Sequence, residues 1–222
     1  PGILRERKIT GRDAAFATEL AYGTLRSLGV LDAVIAKNSS RELERIAPEV
    51  LAALRMGTYQ LLYTRVGDHA AVDTSVRLVE AAGHEKAKGF ANGVLRSIAR
   101  TPADEWLRTL APDSELGALA FTHAHPVWIA RSFSEALGDK RDELEAALEA
   151  DSARPVVHLV ARPGEISAEE LALATGGELG KYSPYAVYLP EGDPGQLEPV
   201  REGLAAVQDE GSQIIARAVT EV

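Results

Sequence analysis

The chain has 222 residues, of which 45% are hydrophobic, so it can bury the core of one large domain or two small ones and is not a disordered chain. It contains no cysteine, which excludes disulfides, thiolate metal ligands and nucleophilic attack through sulfur. No apolar run approaches the roughly 20 residues that cross a bilayer, and there is no basic-then-apolar leader, so we expect a soluble, cytoplasmic protein with no membrane partner.

Charge is distributed unevenly along the chain. The net charge is −9, but residues 1–100 carry 15 Lys and Arg against 11 Asp and Glu, whereas residues 101–222 carry 9 against 22. Only the first part therefore offers a basic surface suited to nucleic acid. Uneven charge is also common on ordinary solvated surfaces, and charge alone leaves both interpretations open.

The densest basic patch lies in residues 3–12, where Glu6 is the single acidic residue. Its members are Arg5, Arg7, Lys8 and Arg12. Such a patch is a candidate for contacts to nucleic-acid phosphates, and a solvated terminus is the alternative.

Helical periodicity runs through the rest of the first hundred residues. We predict one helix capped by Asp13 and ended by Gly29, and another that begins at Pro48, a residue suited to the first helical position. A further helix begins at residue 68 or 69. Thr101-Pro102 ends the last helix of this part, because proline disfavours helix in the residue before it.

The helix of residues 86–100 combines an apolar stripe with a basic back. The basic residues are Lys86, Lys88, Arg96 and Arg100. They form a second candidate basic surface for nucleic-acid phosphates, although Arg96 can equally serve to hold the fold together. Gly57, Gly89 and Gly93 each cost about 1 kcal/mol of helix propensity relative to alanine, so we predict that another helix comes close at each.

Two further stretches follow with weaker signals. A short helix is predicted near residues 116–121, then a turn in which His123 and His125 have a spacing that a strand could use for metal ligands. Because no third strong ligand is near, we interpret them as loop and helix-entry residues and expect no metal site. Two more helices are predicted, one from Pro126 to Gly138 and an acidic one over residues 140–150.

The pattern changes at residue 154 to that of a small α/β unit. Residues 156–160 and 185–189 read as strands, and Ser167 with Glu170 fits a capping box for a helix between them. Asp209 is predicted to cap a last helix whose apolar residues include Ile214, Ile215, Ala218 and Val219. Because the sequence begins Pro-Gly and ends directly after this helix, we expect a fragment of a longer protein.

Four sequence blocks in register resemble the NusB-like RNA-binding domain. They are FATELAYGTLR (16–26), LRMGTYQLLY (54–63), HAAVDTSVRLVE (69–80) and FANGVLRSIAR (90–100). The chain continues with HPVWIARSFSEALG (125–138) and VQDEGSQ (207–213), an arrangement similar to the amino-terminal region of bacterial 16S rRNA cytosine-5 methyltransferases of the Sun/Fmu (RsmB) type.

The resemblance implies a mainly α fold in three parts. These are a NusB-like all-helical RNA-binding bundle over residues 1–122, a helical linker over 123–152, and a small α/β connecting domain over 153–222. A Rossmann-like methyltransferase domain, with a glycine-rich S-adenosylmethionine loop and two cysteines, is expected downstream and is absent from this chain.

The implied function is the binding and positioning of RNA for an S-adenosylmethionine-dependent rRNA methyltransferase. This chain alone is expected to hold no cofactor and no catalytic residue, and its implied partners are 16S rRNA or other structured RNA and its own carboxy-terminal methyltransferase domain. Gln208, Asp209 and Ser212 are implied to dock that domain, although a plain capped helix explains them equally well. The alternative is a NusB-like protein-interaction module in ribosome assembly or transcription antitermination, whose mark would be an exposed apolar patch.

Overall fold

The computed structural model of the chain describes residues 2–153, 155–190 and 192–220. Residues 1, 221 and 222, at the outer ends of the predicted domains, lie outside the described residues. It divides into two compact units, residues 1–153 and 154–222, which we call the helical unit and the α/β unit. A separate linker at residues 123–152 stays a prediction.

The helical unit contains ten α-helices and no strand among its described residues. They are α1 Gly2–Glu6, α2 Gly11–Arg26, α3 Leu28–Asn38, α4 Pro48–Tyr63, α5 Asp68–Ala81, α6 Lys88–Ile98, α7 Ala103–Leu110, α8 Glu115–Thr122, α9 Val127–Leu137 and α10 Leu144–Ser152. Pro48 occupies the first position of α4, as predicted. This helix packs against α2, α3, α5 and α6, so it is the centre of the bundle.

Branched aliphatic side chains fill the main core, with Ile35, Leu54, Val79 and Ile98 fully buried. Trp106 of α7 lies beside them, and its indole N–H donates a 3.1 Å hydrogen bond to the carbonyl oxygen of Ile98. The same carbonyl oxygen accepts the N–H of Thr101 at 3.2 Å, so the indole supplies its second hydrogen bond and fixes the position of α7 against the end of α6.

The predicted ends of the first long helix were wrong. Asp13 lies inside α2, whose N-cap is Thr10 without a side-chain hydrogen bond, and Gly29 is the second residue of α3. The two helices are separated only by Ser27, which has φ −99° and ψ 11° and donates its N–H to the carbonyl oxygen of Gly23. The break therefore needs no left-handed residue, and glycine is not what ends the helix.

Only one of the three predicted glycine contacts exists in the structure. A Cβ at Gly57 would lie 2.6 Å from Ser75 Oγ of α5 and 2.9 Å from Leu95 Cδ2 of α6, so the close approach predicted there is confirmed. At Gly89 and Gly93 nothing lies within 4 Å of the position that a methyl group would take, and both residues are exposed, so the prediction was wrong for them. The face of α6 that carries them is turned away from the bundle.

The segment predicted as a linker forms α9 and α10. Ala130 of α9 and Leu144 and Leu148 of α10 are buried together with Ala120 of α8, which gives this end of the helical unit a small core of its own. Trp128 of α9 points away from it and is 68% exposed.

The α/β unit is a four-stranded antiparallel sheet with helices. Its elements are β1 Val157–Ala161, α11 Ala168–Thr175, β2 Glu178–Leu179, β3 Ala186–Leu189, α12 Glu198–Arg201, β4 Ala205–Val207 and α13 Glu210–Thr220. The strand order is β2-β3-β1-β4. Both predicted strands and the capping box of Ser167 and Glu170 are present, and Leu159, Leu171 and Val187 form the core between the sheet and α11.

The last helix, α13, packs through its polar face, which is the reverse of what its hydrophobic pattern predicts. Glu210 and Gln213 are buried, whereas Ile215 is 68% and Val219 is 74% exposed. A polar face against the sheet and an apolar face toward solvent reverse the usual arrangement of a surface helix. Within the described residues, the apolar face of α13 that carries Ile215 and Val219 is therefore uncovered.

Candidate nucleic-acid interface

The predicted basic patch surrounds the turn between α1 and α2. Arg5 lies in the last turn of α1, Arg7 and Lys8 form the turn between the helices, and Arg12 lies in the first turn of α2. All four side chains are exposed, and within the described residues none makes an ion pair or a side-chain hydrogen bond. Their positive charges are therefore free to meet an external anion.

Backbone hydrogen bonds fix the shape of this turn. The N–H of Ile9 donates to the carbonyl oxygen of Leu4 at 2.8 Å, and the N–H of Lys8 donates to that of Arg5 at 3.0 Å. Lys8 lies in the left-handed region, with φ 54°, which costs a residue other than glycine about 1–2 kcal/mol. The turn holds Lys8 in this conformation although glycine would adopt it at lower cost.

The second predicted set is divided between the two ends of α6. Lys86 and Lys88 stand at its start and Arg96 and Arg100 at its end, roughly 12 Å further along the helix axis. Lys88 pairs with Glu80 at 2.8 Å, and Arg96 Nε donates to Asn92 Oδ1 at 3.1 Å. Lys86 and Arg100 are exposed and have no such partner among the described residues.

Arg96 and Arg100 line one groove between α5 and α6, together with two carboxylates, Asp68 and Asp73. The structure therefore does not present the predicted residues of α6 as one uniform basic patch. The groove also contains His69 and the apolar side chains of Val72 and Val76, which the sequence analysis did not single out as site residues. Their helical spacing in α5 was the available signal, but it reads as core packing.

The predicted docking residues lie at the start of α13. Asp209 Oδ1 accepts the backbone N–H groups of Gly211 at 2.8 Å and Ser212 at 3.4 Å, which is the predicted capping role. Asp209 and Ser212 are exposed, and Gln208 is half-buried, with its N–H bonded to the carbonyl oxygen of His158 at 3.0 Å.

Two neighbouring residues that the sequence analysis missed hold α13 to the sheet. The carboxylate of Glu210 accepts the N–H groups of Tyr182 at 2.7 Å and Ser183 at 2.8 Å, and the hydroxyl of Tyr188 at 2.5 Å. Gln213 donates to the carbonyl oxygens of Leu159 and Gln208 and accepts the hydroxyl of Ser183. Both side chains are spaced three apart and therefore share one face of the helix.

The hydrogen bonds decide the charge of Glu210. Burial by itself would raise the pKa of this carboxyl, but the donors from Ser183, Tyr188 and Tyr182 outweigh it, so the pKa is lowered from its ordinary value of 4.5. The same contact raises the pKa of Tyr188, chiefly because its hydroxyl donates to Glu210. Glu210 is thus an ionised anchor of the sheet against α13.

Of the two histidines considered as metal ligands, only His125 has ring hydrogen bonds within the described residues, whereas His123 Nε2 is buried without one and lies 3.7 Å from Glu145 Oε1. His125 lies with Nδ1 2.8 Å from the carbonyl oxygen of His123 and with Nε2 2.9 Å from Asp151. Within residues 2–153, 155–190 and 192–220 there is no cluster of three or more metal-ligating side chains. In the same residues, no helix is both long and apolar enough to cross a membrane.

Fold and surface together define a helical bundle with an exposed basic turn, followed by a small antiparallel α/β unit. Residues 2–100 match the model of the NusB family, so the resemblance of the four sequence blocks to a NusB-like domain is confirmed.

The relatives extend the similarity over the rest of the chain. It is 56% identical over 99% of its length to "Putative methyltransferase Rv1407" of Mycobacterium tuberculosis strain H37Rv, covering 49% of that protein. It is 33% identical to ribosomal RNA small subunit methyltransferase B of Escherichia coli O1:K1, over 94% of this chain and 48% of that protein. The chain thus spans about half the length of the curated relatives it matches, and its resemblance to the RsmB type is confirmed.

A solved structure shows the same fold. The crystal structure of PH0851 superposes with a TM-score of 0.71 at 17% sequence identity, and the match covers 95% of this chain and 48% of the other. At this identity the likeness supports the predicted architecture, a NusB-like helical domain followed by a small α/β domain, and nothing about activity.

Proposed function

We propose that this chain is the RNA-binding and positioning part of a cytoplasmic rRNA cytosine-5 methyltransferase. The observation that carries the proposal is the exposed, unpaired cluster of Arg5, Arg7, Lys8 and Arg12 on a NusB-like domain. The helical unit grips structured RNA, 16S rRNA in the leading case, mainly through phosphates, which fix register and orientation without reading sequence. Lys86 and Lys88 at the start of α6, and Arg96 and Arg100 at its end, supply secondary contacts to the RNA.

Methyl transfer belongs to the portion of the relatives that this chain does not span. Carbon 5 of cytosine is a poor nucleophile until a thiolate adds at carbon 6, and this chain has no cysteine to supply one. Its residues also lack the glycine-rich loop that the resemblance assigns to S-adenosylmethionine, so they do not fit that cofactor. The role of this chain is to place the cytosine within reach of the catalytic part.

The test is the salt dependence of RNA binding. The full chain is titrated with a helical 16S rRNA fragment over a range of salt concentrations, and the double variant Arg5→Gln/Arg7→Gln is compared with it. Removing two phosphate contacts should weaken binding and reduce the slope of log K against log salt by about 2.

Lys140→Gln/Arg141→Gln is the matched control, because it removes two exposed charges from another turn of the same unit. It should leave affinity and slope nearly unchanged. An affinity that does not depend on salt, or equal losses in both double variants, would contradict the proposal.

A second role is favoured by the uncovered apolar face of α13. We propose that Ile215 and Val219, with Gln208, Asp209 and Ser212 at the start of the helix, dock the catalytic domain of the same polypeptide. An exposed apolar face next to a capped helix start is suited to burial against another domain. A helical protein-interaction module that binds a ribosomal or transcription partner is the alternative use of the same face.

This role is tested by adding the separately produced remaining half of the M. tuberculosis relative in trans. Ile215→Ser/Val219→Ser should weaken the association at least tenfold, given the loss of two buried apolar side chains at about 1.5–3 kcal/mol each. Leu173→Ser, which changes an 88% exposed leucine on α11, is the control and should have no effect. Equal binding by all three proteins would refute the docking proposal.

A further inference from the structure

The groove between α5 and α6 is a shaped cavity on the outside of the helical unit. It has a volume of about 280 Å³ and lies between the first half of α5 and the last turns of α6. Val72, Val76 and Ala99 supply its apolar wall, and Arg96 and Arg100 stand at one side of it. Its size is near the lower end of the roughly 300–1,000 Å³ found for small-molecule sites, so it suits a group no larger than one nucleotide.

The charges of the groove favour a nucleotide over a simple anion. Arg96 and Arg100 attract a phosphate, but Asp68 and Asp73 line the same groove and would repel a small anion placed centrally. Asp73 is only partly neutralised, by a 3.0 Å contact to Arg77 Nε. A nucleotide is suited to both pairs of charged residues. Its phosphate is anionic and complements the two arginines, while its base carries N–H donors that complement the two aspartates and also has apolar faces.

The open glycines of α6 point in the same direction. Gly89 and Gly93 each precede a groove residue, Asn92 and Arg96, by three positions and so flank the groove on the same side of the helix. Each costs about 1 kcal/mol relative to alanine, and no contact inside the described structure requires the missing side chain. They leave room beside the groove for a sugar–phosphate backbone.

We propose that this groove seats one unpaired nucleotide of a structured RNA. The base packs against Val72, Val76 and Ala99, its N–H donors face Asp68 and Asp73, and its phosphate meets Arg96 and Arg100. The inference rests on the proposed RNA-binding function and adds a specificity to it, because a paired helix has no extrahelical base to insert.

The experiment uses two RNA hairpins with identical stems, one of them carrying a single unpaired nucleotide. Binding of the full chain to each hairpin is measured by fluorescence anisotropy at the same low and high salt concentrations. The unmodified protein should bind the bulged hairpin roughly tenfold more tightly than the paired one, as expected when one base face is buried against aliphatic side chains.

Two variants remove this preference in different ways. Ala99→Leu places a larger side chain on the apolar wall and so fills the groove, and Gly93→Gln narrows the groove from the side. Because glutamine favours helix more than glycine does, loss of folding does not explain the effect of Gly93→Gln. Both should bind the two hairpins equally while keeping the affinity for the paired stem. Arg5→Gln/Arg7→Gln should instead weaken both complexes alike and keep the ratio.

Equal affinity of the unmodified protein for the two hairpins would overturn the groove proposal and leave the phosphate-binding function standing. Retention of the ratio by both groove variants would also overturn it. Absence of salt-dependent binding to either hairpin would instead refute the proposed function itself, and the nucleotide site with it.

Discussion

Replacing three glycines by alanine should give three different results, although all three lie inside helices. At Gly93 the new methyl meets nothing within 4 Å, so the gain in helix propensity stands alone and stabilises the protein by about 1 kcal/mol. At Gly57 the methyl would lie 2.6 Å from Ser75 Oγ and 2.9 Å from Leu95 Cδ2, both in fully packed surroundings. Overpacking costs about 1–3 kcal/mol, which outweighs the propensity gain and gives a net loss of about 1 kcal/mol.

Gly23→Ala should be the most damaging of the three. Its methyl would overlap the ring of Tyr59, which is 6% exposed and is anchored by a 2.5 Å hydrogen bond from its hydroxyl to Glu19. Relief requires the ring to move and this bond to break, and the buried hydroxyl would then lack a partner. The combined cost is about 3 kcal/mol.

Thermal unfolding followed by tryptophan fluorescence measures this series, because both tryptophans, Trp106 and Trp128, belong to the helical unit. With 2–4 °C expected per kcal/mol for a unit of this size, roughly 10 °C should separate Gly93→Ala from Gly23→Ala. Gly57→Ala/Ser75→Ala should recover part of the loss at Gly57, since it removes the nearest atom. Equal shifts in the three variants, or a destabilised Gly93→Ala, would refute the packing argument.

Two further changes test buried polar groups. Thr58→Val should raise the melting temperature by a few degrees, because the Thr58 hydroxyl is buried without a hydrogen-bond partner in the described residues and its removal stabilises the fold by about 1 kcal/mol. The control is Thr74→Val, which should change the melting temperature little because the Thr74 hydroxyl is exposed and hydrogen-bonded. Glu210→Gln should speed hydrogen exchange at the amides of Tyr182 and Ser183 by roughly tenfold or more, because both amides donate to the Glu210 carboxylate. The amide of Leu159 serves as an internal reference. Unchanged exchange would disprove the role of Glu210 as an anchor. Because the pKa of Glu210 is lowered from 4.5 in the folded protein, the ionised carboxylate stabilises the fold fully above pH 4.5. This stabilisation is lost as the pH falls through the pKa of the folded state. Acid should therefore reduce protection from hydrogen exchange less in Glu210→Gln than in the unmodified protein.

Local patterns in the sequence located the helices and several of their starts, although the helix ends predicted from Asp13 and Gly29 were wrong. Helical periodicity, Pro48 at a helix start and the pair Ser167 and Glu170 each specify a structure through contacts within one turn, and each prediction is confirmed. Strand β2 was missed because its two residues, Glu178 and Leu179, are too few to show alternation. Its position depends on pairing with β3, which no local pattern contains.

Glycine roles show the limit of this reasoning for the candidate site. Gly57 and Gly93 give the same signal in the sequence, a helix-weakening residue inside an apolar pattern. Only the placement of α5 and α6 separates a glycine that admits a neighbouring helix from one that borders a groove. The same placement sets Asp68 and Asp73 beside Arg96 and Arg100, so the sequence indicated the cations of the site and not their acidic counterparts.

Helix α13 shows how polar groups can decide which face of a helix is buried. Its apolar residues predict packing through Ile215 and Val219, yet three hydrogen bonds to the Glu210 carboxylate and three made by the Gln213 side chain hold the opposite face on the sheet. Hydrogen bonds to a charged group contribute about 1.5–3 kcal/mol each, which together exceed the gain from burying two aliphatic side chains. The anchor therefore keeps the apolar face outward and available. Glu210→Gln should then weaken association with the half of the M. tuberculosis relative that this chain does not span, although it leaves Ile215 and Val219 unchanged, while RNA binding by the helical unit stays constant. An association unaffected by Glu210→Gln but reduced by Ile215→Ser/Val219→Ser would mean that the apolar face docks without being held in place by this anchor.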